Sequence, residues 1–448
     1  MSKNQTMKIS KEKFEKNISE ILRRHLCLNI KKTADIVVAI PTLADEEIFT
    51  TLESLSKCKL PNSKRVLAIV LINESERADE KVRTKNKEIF DKIKHTNFEI
   101  ETEVRYIKGI PEKLAGVGFA RRVLMDEAIC LFKKEYDEKF KERGNIAEFM
   151  SEKFIFSLDS DCTVSENYFS AVEILESKNA DLGVLSFAHR FSEEKEIKKA
   201  GILWEIFLRY WRNSLRVFSY KNAFYPIGSL FLFRATPYIV SMGMNIRQAG
   251  EDFYFLQKII PLARVVDVPV YVFPKAEPSQ RTPFGTGKEI HLYISGKRER
   301  LEKVWNFKSF EQIGEIMRNI DDIFSGEMKI ETFNVFLDEN QKYKEQLERI
   351  KIQSKTKEDF REKFQEWFNP FKVFKFLRFT EKIFPKSPIN QEVEKLIDKI
   401  KKDFKLPSEM INLKPERSDL TRINENEISI LESQLEFLRS FDEYLAKN

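Results

Sequence analysis

Hydrophobic residues recur along this chain with two different periods, and the change of period divides it into zones. From about residue 34 to 295, short β-branched or aromatic runs alternate with amphipathic stretches of helical spacing. This alternation is typical of an α/β fold whose mostly parallel sheet is flanked by helices. The strands that the runs predict are Ile36–Ile40, Val66–Ile72, Glu101–Ile107, Phe154–Leu158 and Val265–Val272.

Helical spacing dominates both ends of the chain. Residues 1–33 are expected to form an N-terminal helical segment that begins behind Ser10, a residue type that caps helices well. Residues 34–295 are expected to form the α/β domain, and residues 296–448 a helical C-terminal region. Apolar stripes at this spacing usually face a core. The stripes are Phe14, Ile18, Ile21, Leu22 and Leu26; Ile313, Ile316, Met317, Ile320, Ile323 and Phe324; Val393, Leu396, Ile397, Ile400 and Phe404; and Leu431, Leu435, Leu438 and Leu445.

Composition narrows the class of protein. The chain has 448 residues, of which 42% are hydrophobic and 33% charged, which favours two globular domains over a membrane-embedded protein. The excess of 77 basic over 71 acidic residues is too small to indicate nucleic-acid binding. The four cysteines are scattered without a C-x-x-C pair, so we expect reduced thiols. With no apolar leader and no apolar run of bilayer length, we expect a cytoplasmic protein.

The apolar run Phe154–Leu158 stops at two carboxylates, Asp159 and Asp161. On an extended backbone, residues two apart point to the same side, so the two carboxylates are expected to converge on one target. The carboxyl ends of strands are where open α/β sheets bind ligands. Two hard oxygen ligands there suit Mg²⁺ or Mn²⁺, which fills its other sites with phosphate oxygens. The alternative is an ordinary surface turn, since Asp and Ser are common turn residues.

The first two predicted strands also end in small polar or acidic residues. Pro41, Thr42 and Asp45 follow the first strand, and Asn73 and Glu74 end the second. Such side chains at a strand's carboxyl end can hold the base and ribose of a nucleotide by hydrogen bonds. The alternative is a strand-to-helix turn in which the same residues cap the next helix.

Gly116 and Gly118 open a predicted helix. With Ala120 they resemble the G-x-G-x-x-A dinucleotide fingerprint, but the alanine comes one residue early and a loop separates the glycines from the preceding strand, so the fit is poor. We instead expect the glycines to allow a close backbone approach, with Arg121 and Arg122 available to a phosphate or carboxylate. The alternative is a glycine-started helix with solvated arginines.

Two later segments carry charged candidates. Glu251 and Asp252 follow a glycine in the first turn of a predicted helix, where acids either complement the helix dipole or supply a base near the metal. A glycine-containing loop carries Arg281 and Lys288, and it is either a mobile lid over phosphates or a solvated loop.

Residues 371–384 form a basic amphipathic segment behind Asn369 and Pro370, which suit the start of a helix. Such a helix either packs its apolar face on the protein or lies in an anionic membrane surface, where a lipid-linked acceptor would be found. Any peripheral membrane contact is expected through this segment.

In their order along the chain, these motifs resemble those of the family 2 glycosyltransferases of the GT-A fold, over roughly residues 34–295. The resemblance implies a Rossmann-like sheet, a nucleotide-diphosphate-sugar donor and a Mn²⁺ or Mg²⁺ ion that bridges its phosphates. It also implies inverting transfer of one sugar, of hexosyltransferase type, to a hydroxyl of a saccharide or lipid-linked glycan. The matching residues are Ile40 to Glu46, Asn73 and Glu74, Gly116, Ala120 and Arg121, Asp159 and Asp161, and Gly250 to Asp252.

The resemblance further implies roles for single residues. Asp161 would hold the metal, with Asp159 on the metal or the ribose, and Asp252 would take the acceptor's proton. The residues expected to contact the donor are Pro41, Thr42, Asp45, Asn73, Glu74, Arg121, Asp159 and Ser160; Glu251, Arg281 and Lys288 are further diphosphate or acceptor candidates, and His291 is a conceivable extra metal ligand.

The chain departs from the family pattern in places. Asn73 and Glu74 stand where an acidic pair is usual, and Arg122 replaces a common asparagine. The Q-x-x-R-W motif of processive synthases is absent from the sequence, which favours transfer of a single sugar. Two alternatives stay open. One is a sugar-nucleotide nucleotidyltransferase, although its glycine-rich basic loop after the first strand is missing; the other is a GT-A scaffold that has lost turnover.

Overall fold

The computed structural model describes residues 9–24, 26, 28–142, 144–247, 250–280, 284–297, 301–327, 329–412 and 426–447. The strands are β1 (Ile36–Thr42), β2 (Val66–Ser75), β3 (Thr102–Ile110), β4 (Phe154–Ser157), β5 (Cys162–Val164), β6 (Leu182–Phe187), β7 (Arg190–Phe191), β8 (Phe231–Arg234), β9 (Val265–Ala276), β10 (Lys303–Val304) and β11 (Ser387–Pro388). The helices are α1 (Lys11–Arg24), α2 (Glu47–Ser56), α3 (Glu80–His95), α4 (Val117–Lys139), α5 (Ile146–Ser151), α6 (Ser170–Ser177), α7 (Lys195–Val217), α8 (Ala235–Val240), α9 (Glu251–Ile259), α10 (Thr286–Ile294), α11 (Phe307–Arg318), α12 (Ile320–Ser325), α13 (Glu331–Asp338), α14 (Gln341–Gln353), α15 (Lys357–Trp367), α16 (Pro370–Thr380), α17 (Ile389–Asp403), α18 (Ser408–Asn412) and α19 (Asn426–Lys447).

In the part of the chain that the structure describes, nine strands form one sheet. Their order is β3-β2-β1-β4-β8-β6-β9-β5, with β7 paired to β9. β3, β2, β1 and β4 are parallel to one another, and β6 is parallel to β9. Because β8 runs antiparallel to both β4 and β6, these two strands point the same way. Since β7 is also parallel to β9, seven strands end at one edge of the sheet, which we call the carboxyl edge. The mostly parallel α/β fold is confirmed.

The five predicted strands are all present, but the hydrophobic pattern did not predict four other strands of this sheet. β5, β6, β7 and β8 contain between two and six residues each. Length alone does not explain this, since β4 has four residues and was predicted; short apolar runs are ambiguous between strand and helix. The antiparallel insertion of β8 depends on partners far along the chain, which a local pattern cannot report.

Helices cover both faces of the sheet because alternate strand residues point to opposite sides. Val37 and Ala39 of β1 pack under α1, α4, α8 and α9, whereas Val38 and Ile40 pack under α2, α3 and α6. Every residue of β1 is buried. A strand buried on both faces needs a continuous apolar run, which is the pattern that predicted it.

The C-terminal helices build a core of their own together with α7. Ile313, Val393 and Leu438, one from each predicted stripe, are 0% exposed and share this core with Tyr210 of α7. The expectation that these three stripes face a core is confirmed. In the N-terminal stripe, Phe14, Ile18 and Ile21 are buried, whereas Leu26 is 46% exposed. Because α7 belongs to the predicted 34–295 zone, the boundary at residue 295 stays a prediction.

α19 returns to the sheet and is held there by buried charges. Asp442 accepts hydrogen bonds from Arg209 and, at 2.6 Å, from the Tyr225 hydroxyl. Arg439 donates to Glu205 at 2.7 and 2.8 Å. Burial opposes the charge of Glu205, but the neighbouring cations hold its pKa well below the usual range. A buried charge left without its partner is costly, so these pairs secure the helix.

The apolar face of the basic segment 371–384 packs on the protein, which is one of the two alternatives considered for it. Asn369 caps α16, and its side chain accepts a hydrogen bond from the Lys372 N–H at 3.1 Å. Val373 and Phe376 are 0% exposed inside the C-terminal core. Protein therefore occupies the apolar face that a membrane surface would need. Over the described ranges, we find no helix whose length and apolarity would let it span a bilayer.

Candidate functional site

The carboxyl edge gathers the acidic and polar motifs that the sequence singled out. β1 ends at Thr42, β2 carries Asn73 and Glu74 near its end, and the Asp159–Asp161 segment follows β4 directly. β1 lies between β2 and β4 and is parallel to both. The ends of the three strands are therefore neighbours, as expected from their positions.

The backbone of the Asp-x-Asp segment differs from the expectation. β4 ends at Ser157, and Ser160 and Asp161 form a turn that leads into β5. The two carboxylates are therefore not on one face of an extended strand. Burial, followed by the charges of Asp161 and Asp159, raises the pKa of the Cys162 thiol, so both acids lie near this group. Convergence of the two carboxylates on one target stays a prediction.

Arg121 joins two carboxylates of the site. Its guanidinium is 2% exposed and donates to Asp159 through one terminal nitrogen and to Glu251 through the other. Gly228 makes room for it, since a Cβ atom at that position would lie 2.6 Å from Arg121 Cζ. Burial opposes the charge of Arg121, but the two carboxylates raise its pKa. The expected donor contact of Arg121 stays a prediction, because the structure pairs it with carboxylates.

Glycines bring α9 close to α4. A Cβ atom at Gly118 would clash with the carbonyl oxygen of Arg247 and lie 3.0 Å from the Glu251 Cβ. Gly250 caps α9 with a φ of 69°, in the left-handed region that favours glycine. The close approach expected of the first glycine motif is therefore observed, and it places Glu251 and Asp252 at the site.

Asp252 lies beside this charge cluster and is partly buried. Burial, and after it the negative charge of Glu251, raises the pKa of Asp252 to about 7, against the opposing effect of Arg121. A carboxylate with a pKa near neutrality is well suited to accept a proton from a reacting hydroxyl. Glu251 is 4% exposed and bound to Arg121. Asp252 makes no such ion pair with Arg121 among the described contacts, and its role as the base stays a prediction.

Asp45 ties the end of β1 to the Asp-x-Asp turn. The Ser160 hydroxyl donates to Asp45 at 3.0 Å, and the Glu47 N–H donates to its other oxygen at 3.2 Å. The Thr51 hydroxyl donates to the Ser160 carbonyl oxygen at 2.8 Å. Asp45 thus serves both the start of α2 and the turn. Contact of Asp45 or Ser160 with a donor stays a prediction.

Glu74 is held by protein groups. It accepts hydrogen bonds from the Tyr106 hydroxyl and, at 3.3 Å, from the Asn86 amide. Asn86 in turn accepts the Ala44 N–H at 2.8 Å. Asn73 and Glu74 are 4% and 3% exposed. This chain of bonds orders the ends of β1, β2 and β3, and nucleotide contact by Asn73 or Glu74 stays a prediction.

The predicted loop residues fall in different situations. Arg281 lies outside the described residues. Lys288 is half-buried in the first turn of α10. His291 Nε2 lies 2.9 Å from the side-chain amide nitrogen of Gln280.

The start of α10 is anchored by residues that the sequence analysis missed. Thr286 Oγ1 lies 3.3 Å from His189 Nε2 and accepts the Trp204 Nε1–H at 3.1 Å. The other ring nitrogen of His189 donates to Glu205 at 3.0 Å, because a carboxylate can only accept. The loop end is thus connected to the charge network that holds α19. No local signal marks this chain of contacts.

Two cations at the carboxyl edge were also missed. Arg190 Nη2 donates to the carbonyl oxygen of Asp161 at 2.8 Å. Lys275 Nζ lies 3.0 Å from a carboxylate oxygen of Glu47. They meet only because β7 pairs with β9. The sequence contains no local signal for that pairing.

Asp159 and Asp161 could hold a divalent ion together with oxygens of a substrate. The described ranges contain no group of three or more His, Cys, Asp or Glu side chains that could hold a metal by itself, and His291 therefore joins none. The Asp159 side chain is 32% exposed, and Asp161 is also partly exposed. Mg²⁺ is commonly held by one or two carboxylates plus phosphate oxygens. This donor set fits an ion that arrives with a nucleotide.

No family model matches the chain, and no curated protein sequence matches it significantly. Solved structures are similar to it at low identity. TarS of S. aureus is 13% identical with a TM-score of 0.34, over 64% of this chain and 48% of that one. A fragment of TarS in complex with UDP is 12% identical with a TM-score of 0.35, over 64% and 82%. The mannosyltransferase PcManGT from Pyrobaculum calidifontis, in complex with GDP-Man and Mn²⁺, is 9% identical with a TM-score of 0.36, over 98% and 96%.

The chain spans about half the length of the full TarS chain that it matches. Likenesses at this identity and TM-score do not assign an activity, so the assignment has to come from the residues of the site.

Proposed function

We propose that this protein is an inverting, metal-dependent glycosyltransferase of hexosyltransferase type with a GT-A fold. It would move one sugar from a nucleotide-diphosphate-sugar donor to an acceptor hydroxyl of a saccharide or lipid-linked glycan. The observation that supports this best is the position of Asp252. Its raised pKa lies near neutrality, and its neighbours Glu251 and Arg121 lead directly to Asp159 of the Asp-x-Asp turn.

Asp252 supplies the base in this proposal. An acceptor hydroxyl is a poor nucleophile until its proton is removed as the new bond to the anomeric carbon forms, and a positioned base contributes about 10²–10⁴-fold. A carboxylate with an ordinary pKa of 3.8 would be a weaker base than Asp252 with a pKa of about 7. Attack from the face opposite the leaving diphosphate inverts the anomeric centre.

Arg121 acts as a positioning residue in the proposal. It holds Glu251 on the acceptor side and Asp159 on the metal side through one buried guanidinium. Gly228 lies against that guanidinium and leaves no room for a larger residue there. In the proposal, Arg121 therefore fixes Glu251, the neighbour of the proposed base Asp252, relative to the proposed metal ligand Asp159.

The donor's diphosphate is proposed to bind with Mn²⁺ or Mg²⁺ at Asp161 and Asp159. A divalent ion there supplies positive charge to the departing diphosphate. Asp159 is already paired with Arg121, which lowers the negative charge that the protein alone can offer to a metal ion. We therefore expect metal binding to depend strongly on the nucleotide. Pro41, Thr42, Asp45, Asn73, Glu74, Ser160 and Lys288 remain proposed donor contacts.

The two alternatives make different predictions for one assay. A nucleotidyltransferase given a nucleotide sugar would need pyrophosphate and would form a nucleoside triphosphate and a sugar phosphate, whereas an inactive scaffold would turn over nothing. The purified protein is incubated with a panel of nucleotide sugars, with Mn²⁺ or with EDTA, and released nucleoside diphosphate is measured. Metal-dependent release of the diphosphate supports glycosyl transfer over both alternatives.

Two variants assign the roles, with Asp398→Asn, an exposed acid of α17, as the matched control. Asp252→Asn should lose about 10²–10⁴-fold in turnover while it still binds nucleotide and metal, because the amide keeps the shape and cannot take the proton. Asp161→Ala should abolish the gain in nucleotide affinity that Mn²⁺ provides. Near-parent turnover by Asp252→Asn would move the base elsewhere, with Glu251 the next residue to test. Equal nucleotide affinity of the parent protein in EDTA and in Mn²⁺ would contradict a role for the metal in nucleotide binding.

A further inference from the structure

Arg190 and Lys275 lie directly opposite each other at the carboxyl edge. β7 and β9 pair in parallel, and the two residues are register partners. Both reach Glu47 in the first turn of α2: Lys275 Nζ lies 3.0 Å from Oε1, and Arg190 Nη2 lies 3.4 Å from Oε2. The Arg190, Lys275 and Glu47 side chains are 33%, 37% and 30% exposed. The cluster is therefore accessible to a ligand.

Arg190 is held in place by contacts other than Glu47. Its Nε donates to the Phe273 carbonyl oxygen at 3.2 Å, and its Nη2 donates to the Asp161 carbonyl oxygen at 2.8 Å. Two backbone acceptors fix the plane of the guanidinium, which then presents a preorganised fork. The second contact also places this cation one hydrogen bond away from the Asp-x-Asp turn.

Two cations share one carboxylate in this cluster. Like charges directly opposite on neighbouring strands repel each other, and Glu47 can offset only one of them. Burial opposes the charge of Glu47, but the hydrogen bond and charge of Lys275, with the charge of Arg190, lower its pKa. Ion pairs this exposed contribute little to stability. Folding alone is a poor explanation for the arrangement.

We propose that Arg190 and Lys275 form a phosphate-binding subsite beside Asp161, in which a phosphate group takes the place of Glu47 between the two cations. A phosphate offers more acceptor oxygens and more negative charge than a carboxylate, and both cations suit it. The start of α2 adds a favourable dipole. The phosphate belongs to the donor's diphosphate or to a phosphorylated acceptor. The link to a donor rests on the proposed function, whereas phosphate binding itself does not.

Titration of the metal-free protein with inorganic pyrophosphate at low ionic strength tests the subsite. Lys275→Gln removes one cation and should weaken binding by about tenfold or more, the effect expected from the loss of one charge-assisted hydrogen bond. Glu47→Gln removes the competing carboxylate and should strengthen binding. Lys344→Gln, which removes an ion-paired lysine of the C-terminal region, should leave it unchanged.

Opposite effects of two neighbouring substitutions cannot arise from a general loss of folding. Equal affinity in the parent and all three variants would overturn the subsite. So would weaker binding by Glu47→Gln, because a carboxylate that helps to bind the anion contradicts the competition.

A second titration, with saturating nucleoside diphosphate, separates the two sources. If the nucleotide displaces pyrophosphate and Lys275→Gln also weakens nucleotide binding, the subsite serves the donor. If pyrophosphate still binds, the subsite serves a phosphorylated acceptor. If the parent protein binds pyrophosphate with this charge dependence but does not bind a nucleoside diphosphate, the subsite is supported and the proposed function is contradicted. If nucleotide binding depends on the metal but pyrophosphate binding is the same in the parent and the variants, the proposed function is supported and the subsite is overturned.

Discussion

Replacement of Gly228 by alanine is the sharpest test of the site's construction. The new Cβ would lie 2.6 Å from Cζ and 2.7 Å from Nη1 of Arg121, where ordinary contacts begin near 3.4 Å. The guanidinium therefore has to retreat by roughly 1 Å. It is 2% exposed and bound to Asp159 and Glu251, so the retreat stretches two charge-assisted hydrogen bonds at once.

The cost can be estimated from two contributions. Forcing an extra methyl group into a packed interior costs about 1–3 kcal/mol. Stretching hydrogen bonds between charged groups removes part of the roughly 1.5–3 kcal/mol that each provides. We therefore expect Gly228→Ala to lower the free energy of unfolding by about 2–4 kcal/mol. Nucleotide-sugar turnover should fall with it, because Asp159 and Glu251 lose their common anchor.

A double-mutant cycle in urea unfolding isolates this mechanism. The φ of Gly228 is not positive, so alanine itself suits the backbone there. In an Arg121→Met background the clash partner is shorter and uncharged, and Gly228→Ala should cost less than about 1 kcal/mol, or stabilise slightly through the unfolded chain. An equal loss in both backgrounds would refute the reasoning, as would a change below about 0.5 kcal/mol in the parent.

Three further predictions concern stability. The pKa of Asp252 is raised from 3.8 to about 7 in the folded state, so the parent protein loses stability as the pH rises through that window. Asp252→Asn should therefore raise the urea midpoint more at pH 8 than at pH 5. Equal gains at the two pH values would contradict the raised pKa. Asp442→Ala leaves Arg209 buried without this partner and should cost about 3 kcal/mol, with faster proteolysis of α19; unchanged cleavage would contradict this. Asn369→Ala removes the cap of α16 and should cost about 1 kcal/mol in the same unfolding assay, whereas a cost near zero would contradict the capping role.

The strands and stripes could be predicted from the sequence because their causes are local. β1 and β2 are buried on both faces, so their apolar runs are continuous and visible without a structure. The stripe that contains Ile313 and the one that contains Val393 show helical spacing for the same reason. The positions of the polar residues at the strand ends could also be predicted, because a buried apolar run stops where the chain leaves the sheet.

The backbone at the Asp-x-Asp segment could not be predicted in this way. Whether β4 continues to Asp161 or ends at Ser157 depends on the turn into β5, which pairs with β9. The partner strand is more than a hundred residues away in sequence, and no period within the segment reports it. Strand alternation therefore predicted a shared face for Asp159 and Asp161, whereas the structure has a turn at Ser160 and Asp161.

The sequence by itself determined that Asp45, Glu74 and Asp159 stand near the carboxyl edge, because each lies at or just beyond the end of its own apolar run. Only the tertiary structure decided what those groups do to one another. The burial of Arg121 between Asp159 and Glu251, and the raised pKa of Asp252, depend on how closely α4 and α9 approach. Burial and the field of neighbouring charges are properties of the space around a residue, and the order of residues along the chain does not specify them.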